Sequence, residues 1–338
     1  MRRPGEDGTT DRAAPGPAVQ PVPERIKPML AVPGRRRSFG TEWVFERKLD
    51  GVRAIAFRDG DDIRLTSRTG RPLERTYPEI VQALARQPLE HFVVDGEIVA
   101  MNRGRTDFAR LQRRMHITDP VAAGLSSIRV TYYLFDLLHL GGYDTTVLPL
   151  RSRKSLLRRA VEFTGPLRYN AHRNADPGAR DLLDDACRRG WEGLVAKRAD
   201  SRYQQRRSPD WVKLKCTAAQ ELVIAGFTEP SGSRLGFGAL LLGYYEGGRL
   251  RYAGKAGTGY DDATLVGLRR RLDTLEQPHP AFDEPVAERT AHWVRPELVA
   301  RIDFTEWTAD GRLRHPRFVG LRDDKKAAEV IREYPASA

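Results

Sequence analysis

The sequence predicts a mixed α/β domain followed by a small β-barrel. Three observations carry this reading: 338 residues exceed the usual size of one domain, strand-like and helix-like runs alternate from Glu42 to about Lys215, and after Ala218 the texture changes to short strands with glycine-rich connections. The division expected from them is a tail over 1–24, a first domain over 25–218 and a second over 219–338.

Seven of the 22 prolines (Pro4, Pro15, Pro17, Pro21, Pro23, Pro28 and Pro33) fall in the first 33 residues, with no apolar periodicity, so the head reads as a flexible, basic, proline-rich tail. The triplet Arg35 to Arg37 closes it and reads first as a solvated charge run. The first domain offers strands at Trp43–Leu49, Val52–Arg58, Ile63–Ser67, Phe92–Ala100, Val130–Leu138, Glu192–Arg198 and Trp211–Cys216, with Asp59-Gly60 as a hairpin turn. Between them, Ser152–Phe163 places Leu156, Leu157, Ala160 and Val161 on one helical face, and Ala179–Arg189 is a helix stopped by Gly190. The second domain offers strands at Glu221–Phe227, Gly238–Glu246, Arg249–Lys255, Ile302–Thr308 and Leu313–Val319, with a helix near Asp262–Leu275. Short strands around one helix suit a small Greek-key barrel.

The 57 Lys and Arg outnumber the 45 Asp and Glu, giving a formal net charge of +12 with 40% hydrophobic residues, which describes a folded protein with an anionic partner. No apolar run is long enough to cross a bilayer and no secretory signal is evident, so a cytoplasmic protein without a membrane partner is expected. Cys187 and Cys216 cannot build a disulfide framework or a four-thiolate zinc site, so any metal is expected on oxygen ligands. There is no Gly-x4-Gly-Lys-Ser/Thr loop, no His-Glu-x-x-His and no Gly-x-Ser-x-Gly, which removes the entry signals of P-loop ATPases and the familiar hydrolases.

The stretch Glu46-Arg47-Lys48-Leu49-Asp50-Gly51-Val52-Arg53 carries the most chemistry. Strand alternation puts Val44, Glu46 and Lys48 on one face and Trp43, Phe45 and Leu49 on the other. A lysine attacks only as the neutral amine, against an unperturbed pKa of about 10.4, so cations and partial burial must lower it. Alone, the string reads first as an edge strand protected by charge. In Trp211-Val212-Lys213-Leu214-Lys215 the two lysines share a face, and they repel unless an anion sits between them; a phosphate is the natural occupant. Asp95, Glu97, Asp136 and Glu192 interrupt apolar runs and demand partners: a divalent metal, ribose hydroxyls, or more cheaply an arginine.

In order, Lys48-Leu-Asp50-Gly51-Val-Arg53, Ser67-Arg68-Thr69-Gly70, Asp95-Gly96-Glu97, Phe135-Asp136, Glu192-Gly193-Leu-Val-Ala-Lys197 and Trp211-Val-Lys213-Leu-Lys215 resemble the nucleotidyltransferase motifs of ATP-dependent DNA ligases. The resemblance runs from about Pro28 to Lys326. Phe237–Gly243, Arg251–Gly259 and His315-Pro316-Arg317-Phe318 look most like the bacterial end-joining ligases, both the D-type ligase module and the stand-alone C-type enzymes.

That resemblance implies an adenylation (nucleotidyltransferase, ATP-grasp-like) domain followed by an OB-fold, with ATP in a cleft of the first. It implies Lys48 as the residue that becomes adenylated, Glu46 and Lys48 flanking the adenine with Phe135 stacked on it, and Arg53, Arg68 and Glu97 at the ribose and phosphates. Lys197 is implied at the nucleotide, Arg207, Lys213 and Lys215 at the α-phosphate, and Arg322 and Lys325 at the pyrophosphate. Arg206, adjacent to Arg207, is an alternative for the phosphate contact. Glu97 and Glu192 are implied as ligands of a divalent metal, Mg or Mn. The implied substrate is nicked double-stranded DNA, sealed by a monomer in repair or end joining, with Ku or another end-bridging protein as a partner. An RNA ligase, a capping guanylyltransferase and an inactive basic OB-fold binding protein share parts of the pattern; a NAD-dependent ligase lacks its zinc cysteines here.

Overall fold

The strand Trp43–Arg47 buries both of its faces: Trp43 and Phe45 pack with Ala186, Leu194, Ala196, Val212 and Leu214, while Val44 packs on Leu150 and Ala199. The strand is therefore interior in its sheet. In the computed structural model, which describes residues 20–34, 39–175, 180–216, 219–232 and 234–333, that sheet runs Leu30–Pro33, Arg207–Lys215, Gly193–Arg198, Trp43–Arg47, His172–Asn174. A second sheet has Asp62–Ser67, Val52–Asp59, His91–Asn102 and Val130–Leu140 as successive neighbours. The chain passes from one sheet to the other at Leu49–Gly51. Gly51 is required because a Cβ there would lie 2.1 Å from the Ile98 carbonyl oxygen, a close approach rather than a positive φ.

Ile55, Phe57, Val93 and Phe135 of the second sheet meet Trp211 of the first, with Met29 and Tyr203, in one apolar cluster between them. The far face of the second sheet is covered by the helices Pro78–Ala85, Phe108–Met115 and Leu150–Ala160. The first two are not legible as periodic runs: each has eight residues, and their signals are local, Pro78 at a helix start and Asp107 accepting from the Arg110 backbone N–H at 2.9 Å. In the third helix Leu157 and Val161 of the expected face are buried and Leu156 packs against the same core, but the buried stripe runs back through Lys154, Arg153 and Leu150. Two cations thus lie inside.

The strands expected from Trp43 to Lys215 are found with shifts of a few residues, and the Asp59-Gly60 turn joins Asp59 to its cross-strand partner Asp62. The tail over 1–24 divides: 1–19 lie outside the described residues, whereas 20–24 are packed, with Val22 buried, the Gln20 N–H donating to the Gly142 carbonyl at 2.6 Å and the Arg64 guanidinium held by the Pro23 and Glu24 carbonyls. Arg35 to Arg37 also lie outside the described residues. Cys187 and Cys216 form a single disulfide with Cα atoms 5.2 Å apart, tying the end of helix Arg180–Arg188 to the residue after Lys215. It is a cross-link that the spacing of the two cysteines does not announce.

From Ala219 the chain forms a sheet with Arg249–Ala256, Leu240–Glu246, Ala219–Thr228, Ala291–Asp303 and Arg317–Leu321 as successive neighbours. A parallel bridge between Thr258 and Arg317 brings the first and last together, closing a small barrel with helix Asp262–Asp273 against it. The fourth strand starts eleven residues before the expected Ile302. Its apolar alternation is broken at Arg295-Pro296-Glu297, where the ladder with Ala219–Thr228 shifts register and a proline costs no pairing. The barrel leans on the first domain: Val319 packs on its core, and the Arg322 guanidinium lies 4.6 Å above the Phe108 ring. No described helix is long and apolar enough to cross a membrane.

Candidate active site

Between the two sheets, and under the barrel, lies a cleft lined by Glu46, Lys48, Arg53, Arg68, Glu97, Phe135, Lys197, Arg207, Lys213, Lys215, Arg322 and Lys325. Every residue of the expected nucleotide set faces it. Arg207, but not Arg206, is among the lining residues, and Arg207 donates to the Ala31 carbonyl at 2.7 Å.

One end is a closed network of buried charge. Glu46, 1% exposed, accepts from Lys154 at 2.7 Å and from Asn170 at 3.1 Å and lies 2.8 Å from the Lys197 ammonium. Burial pushes its carboxyl up, but the two lysines outweigh that and hold it below its ordinary value. Lys154 completes its coordination on the Phe135 and Asn170 carbonyls. Lys197 sits 4.2 Å from the Phe135 ring centre and 4.0 Å from that of Trp211; burial and Lys154 bring it down to about 8 against the pull of Glu46. Behind it, Asp136 takes a bidentate pair from Arg153, both fully buried. Asp95 is satisfied the same way by Arg53, and also by the Tyr203 hydroxyl at 2.6 Å. For these two aspartates the arginine explanation holds.

The other end is open to the barrel. Lys48 Nζ lies 2.6 Å from Glu192, and the backbone N–H of Lys48 donates to the Gly193 carbonyl at 2.9 Å. Gly193 has φ +148°, and a Cβ there would lie 1.9 Å from the Leu214 carbonyl oxygen, so the backbones pack too closely for a side chain. Burial raises the Glu192 carboxyl, but Lys48, Arg301 and Lys215 bring it down to about 2. Asp50 pairs with Arg301, and burial pushes it up to about 6. The Glu97 carboxylate makes no hydrogen bond or ion pair among the described residues, and burial carries it up to about 7 despite Arg53, Arg322 and Lys48 nearby. Among the described residues no group of three or more His, Cys, Asp and Glu side chains converges as a metal cage.

The two lysines that share a strand face do have an anion between them. It is Glu333, which pairs with Lys213 and lies 2.7 Å from Lys215. Arg68 pairs with Glu329, Lys325 with Glu221 at 2.7 Å, and Arg322 makes a bidentate pair with Asp324. Sequence reasoning missed Arg153, Lys154, Asn170, Glu221, Arg301 and Glu333. A charge inside the apolar run Leu298–Ile302 marks Arg301 by the logic already applied to Asp95; Asn170 and Glu333 carry no local signal.

A lysine-bearing cleft between two sheets, roofed by a barrel, defines a nucleotidyltransferase domain followed by an OB-fold. A family model described as ATP dependent DNA ligase domain matches residues 28–215, and one described as ATP dependent DNA ligase C terminal region matches 233–325. The multifunctional non-homologous end joining protein LigD of Pseudomonas aeruginosa is 41% identical over 325 residues, covering 94% of this chain and 38% of that protein. The LigD end joining DNA repair protein of Mycobacterium tuberculosis is 38% identical over 320 residues, covering 92% and 40%. A solved structure of mycobacterial DNA ligase D complexed with ATP and MES superposes with a TM-score of 0.63 at 35% identity, covering 91% of this chain and 98% of that one. The chain belongs to the ATP-dependent DNA ligase family, and it spans about two fifths of the length of these curated relatives.

Proposed function

We propose that the chain seals 5′-phosphate/3′-hydroxyl nicks in duplex DNA through a lysyl-AMP at Lys48, with the working division of the chain near residue 218. The observation that carries this is Lys48 itself, at the floor of the cleft between a buried acid–base network at one end and a cluster of cations at the other. Neutral Lys48 attacks the α-phosphorus of ATP; the N–P bond forms as the bond to pyrophosphate breaks. Glu46, with Lys197, takes the adenine edge and Phe135 its face; Arg53 and Arg68 hold the ribose and phosphates. Arg207, Lys213 and Lys215 neutralise the charge gathering on the α-phosphoryl oxygens, and Arg322 and Lys325 orient the departing pyrophosphate. The adenylyl group then passes to the 5′-phosphate of the nick, and attack by the 3′-hydroxyl seals the strand and releases AMP.

Glu97 and Glu192 are the carboxylates that would hold a divalent cation. They fit because the Glu97 carboxylate has no hydrogen bond or ion pair among the described residues and Glu192 stands against Lys48, while two carboxylates leave the remaining positions to phosphate oxygens and water. Such a cation, Mg or Mn, supplies further charge neutralisation at the phosphates.

The pairing of Asp50 with Arg301, and the proximity of Arg322, support a barrel that closes over the cleft for the first transfer and swings away to grip duplex. Thr217 and Ala218 of the expected hinge lie outside the described residues. The formal net charge of +12 supports sequence-independent, salt-sensitive binding to the phosphate backbone. The names of the relatives, non-homologous end joining proteins, support a place in end joining, a pathway in which Ku or another end-bridging protein would be the partner. Labelled ATP and GTP, followed by nicked DNA with 3′-deoxy or 3′-ribo ends and nicked RNA, test the reading: label from ATP and sealed DNA, both lost in Lys48→Ala, are expected. Label from GTP alone, or an unsealed DNA nick with magnesium and ATP present, contradicts it.

A further inference from the structure

The anion between Lys213 and Lys215 comes from the chain's own C-terminal segment. After the barrel, Val330 is buried, and its carbonyl accepts from the Tyr245 N–H at 2.7 Å. Gln220 then clamps the next three residues, its Nε2 donating to the Ile331 carbonyl at 3.0 Å and its Oε1 accepting from the Glu333 N–H at 2.8 Å. So held, the segment lines the cleft and delivers two carboxylates: Glu329 to Arg68, and Glu333 to both Lys213 and Lys215.

These are cations on which a nucleotide's phosphates would depend. Two ammoniums side by side on one strand need a counter-charge, and the seat between them holds one anion, so a carboxylate placed there keeps a phosphoryl group out of it. Burial works against charge on Lys215, yet Glu333, Glu221 and Glu192 around it raise its hold on the proton; Glu333 in turn is kept well below the usual carboxylate range by both lysines.

We propose that the segment Glu329–Glu333 is a built-in competitor of ATP: the Glu333 carboxylate occupies the α-phosphate cradle of the resting enzyme and must leave before Lys48 can be adenylated. This rests on the assignment of Lys213 and Lys215 to the α-phosphate. Apparent nucleotide affinity is then the intrinsic affinity reduced by the fraction of molecules with the cradle free, so a segment seated about nine-tenths of the time raises half-saturating ATP roughly tenfold.

The test measures initial rates of protein labelling from ATP, over a range of ATP concentrations, for the full chain, Glu333→Gln and Gln220→Ala. The expected result is a fall in half-saturating ATP of about five- to tenfold in Glu333→Gln, and a smaller fall in Gln220→Ala, whose clamp is loosened while both lysines stay intact, with maximal rates within about twofold. Equilibrium binding of ATP in the Lys48→Ala background, with and without Glu333→Gln, reads the same competition without chemistry: the double variant should bind more tightly by the same factor. Tighter binding with no labelling of the wild-type chain leaves the competitor standing and fails the covalent reading. Labelling of the wild-type chain with half-saturating ATP unchanged or raised in both variants, or maximal rates lowered more than about tenfold, overturns the competitor and leaves the covalent reading intact.

Discussion

The two ends of the cleft are built on different plans. At the Glu46 end every charge is satisfied within the first domain: Glu46 by Lys154, Lys197 and Asn170, Asp136 by Arg153, Asp95 by Arg53 and Tyr203. At the Lys48 end Glu192 of the first domain meets Lys48, and the other partners come from the barrel and the C-terminal segment beyond it: Arg301 on Asp50 and Glu192, Glu333 on the two lysines, Glu329 on Arg68. Residues that recognise the unchanging part of a nucleotide can be fixed once. On the proposed reading, the residues of the second end bind, release and rebind phosphate through three transfers, which suits neutralisation by a part that can withdraw. The first end is a matter of folding, and the second a matter of where the barrel sits.

Breaking one partner at the first end should therefore cost stability or loosen the hold on the base, and at the barrel-covered end should uncouple steps. Arg153→Ala strands the fully buried Asp136 and is expected to cost about 3–5 kcal/mol of stability, read by denaturant unfolding. A loss under about 1 kcal/mol would mean that the network is ornamental. Arg322→Ala leaves the buried Asp324 unpaired, so its rates are read per folded molecule; there it is expected to slow self-adenylation about 10²-fold while sealing of a pre-adenylated nick changes little, if the barrel covers the cleft for the first step alone. Equal losses in both steps would erase the contrast between the ends. Lys154→Met keeps the volume but frees one oxygen of Glu46; half-saturating ATP should rise about tenfold, with the maximal rate less affected, and an unchanged value would detach Glu46 from the base.

A further effect concerns pH. Burial carries Glu97 up to about 7, above its ordinary 4.5, so the folded chain holds this proton more tightly than the unfolded chain. Its contribution to stability is full below about 4.5 and is lost as pH rises through about 7, while the cation it would hold needs the ionised form. Magnesium affinity should climb about tenfold per pH unit below about 7 and level off above it, a slope that Glu97→Gln abolishes. A flat profile in the unaltered chain would remove Glu97 from the cation.

The same contrast decides what is legible in the sequence. Motif residues that sit on strands or at their ends, such as Glu46, Lys48, Lys197, Lys213 and Lys215, can be placed on a face because alternation is a local rule, and all of them face the cleft. Arg153 and Lys154 could have been caught by running the helical spacing from Leu150 rather than from Leu156, which puts both on the buried stripe. Glu333 could not. It lies 120 residues from Lys213 and 118 from Lys215, and only the path of the chain beyond the barrel's last strand brings it there. The expectation of an anion between the lysines is sound as chemistry; that the protein supplies one itself is beyond any local pattern. The eight-residue helices and the Pro296 strand were missed because short elements and bulges carry too few periods to announce themselves.

The chemistry of the whole cleft depends on what Lys48 becomes. Incubation of the chain with ATP and magnesium, isolation of the labelled protein, and tandem mass spectrometry of its peptides should place one adenylyl group on the Lys48 side chain, released as AMP when nicked duplex is added. An adenylyl group on another residue, or a labelled Lys48 that nicked duplex fails to discharge, would contradict the account.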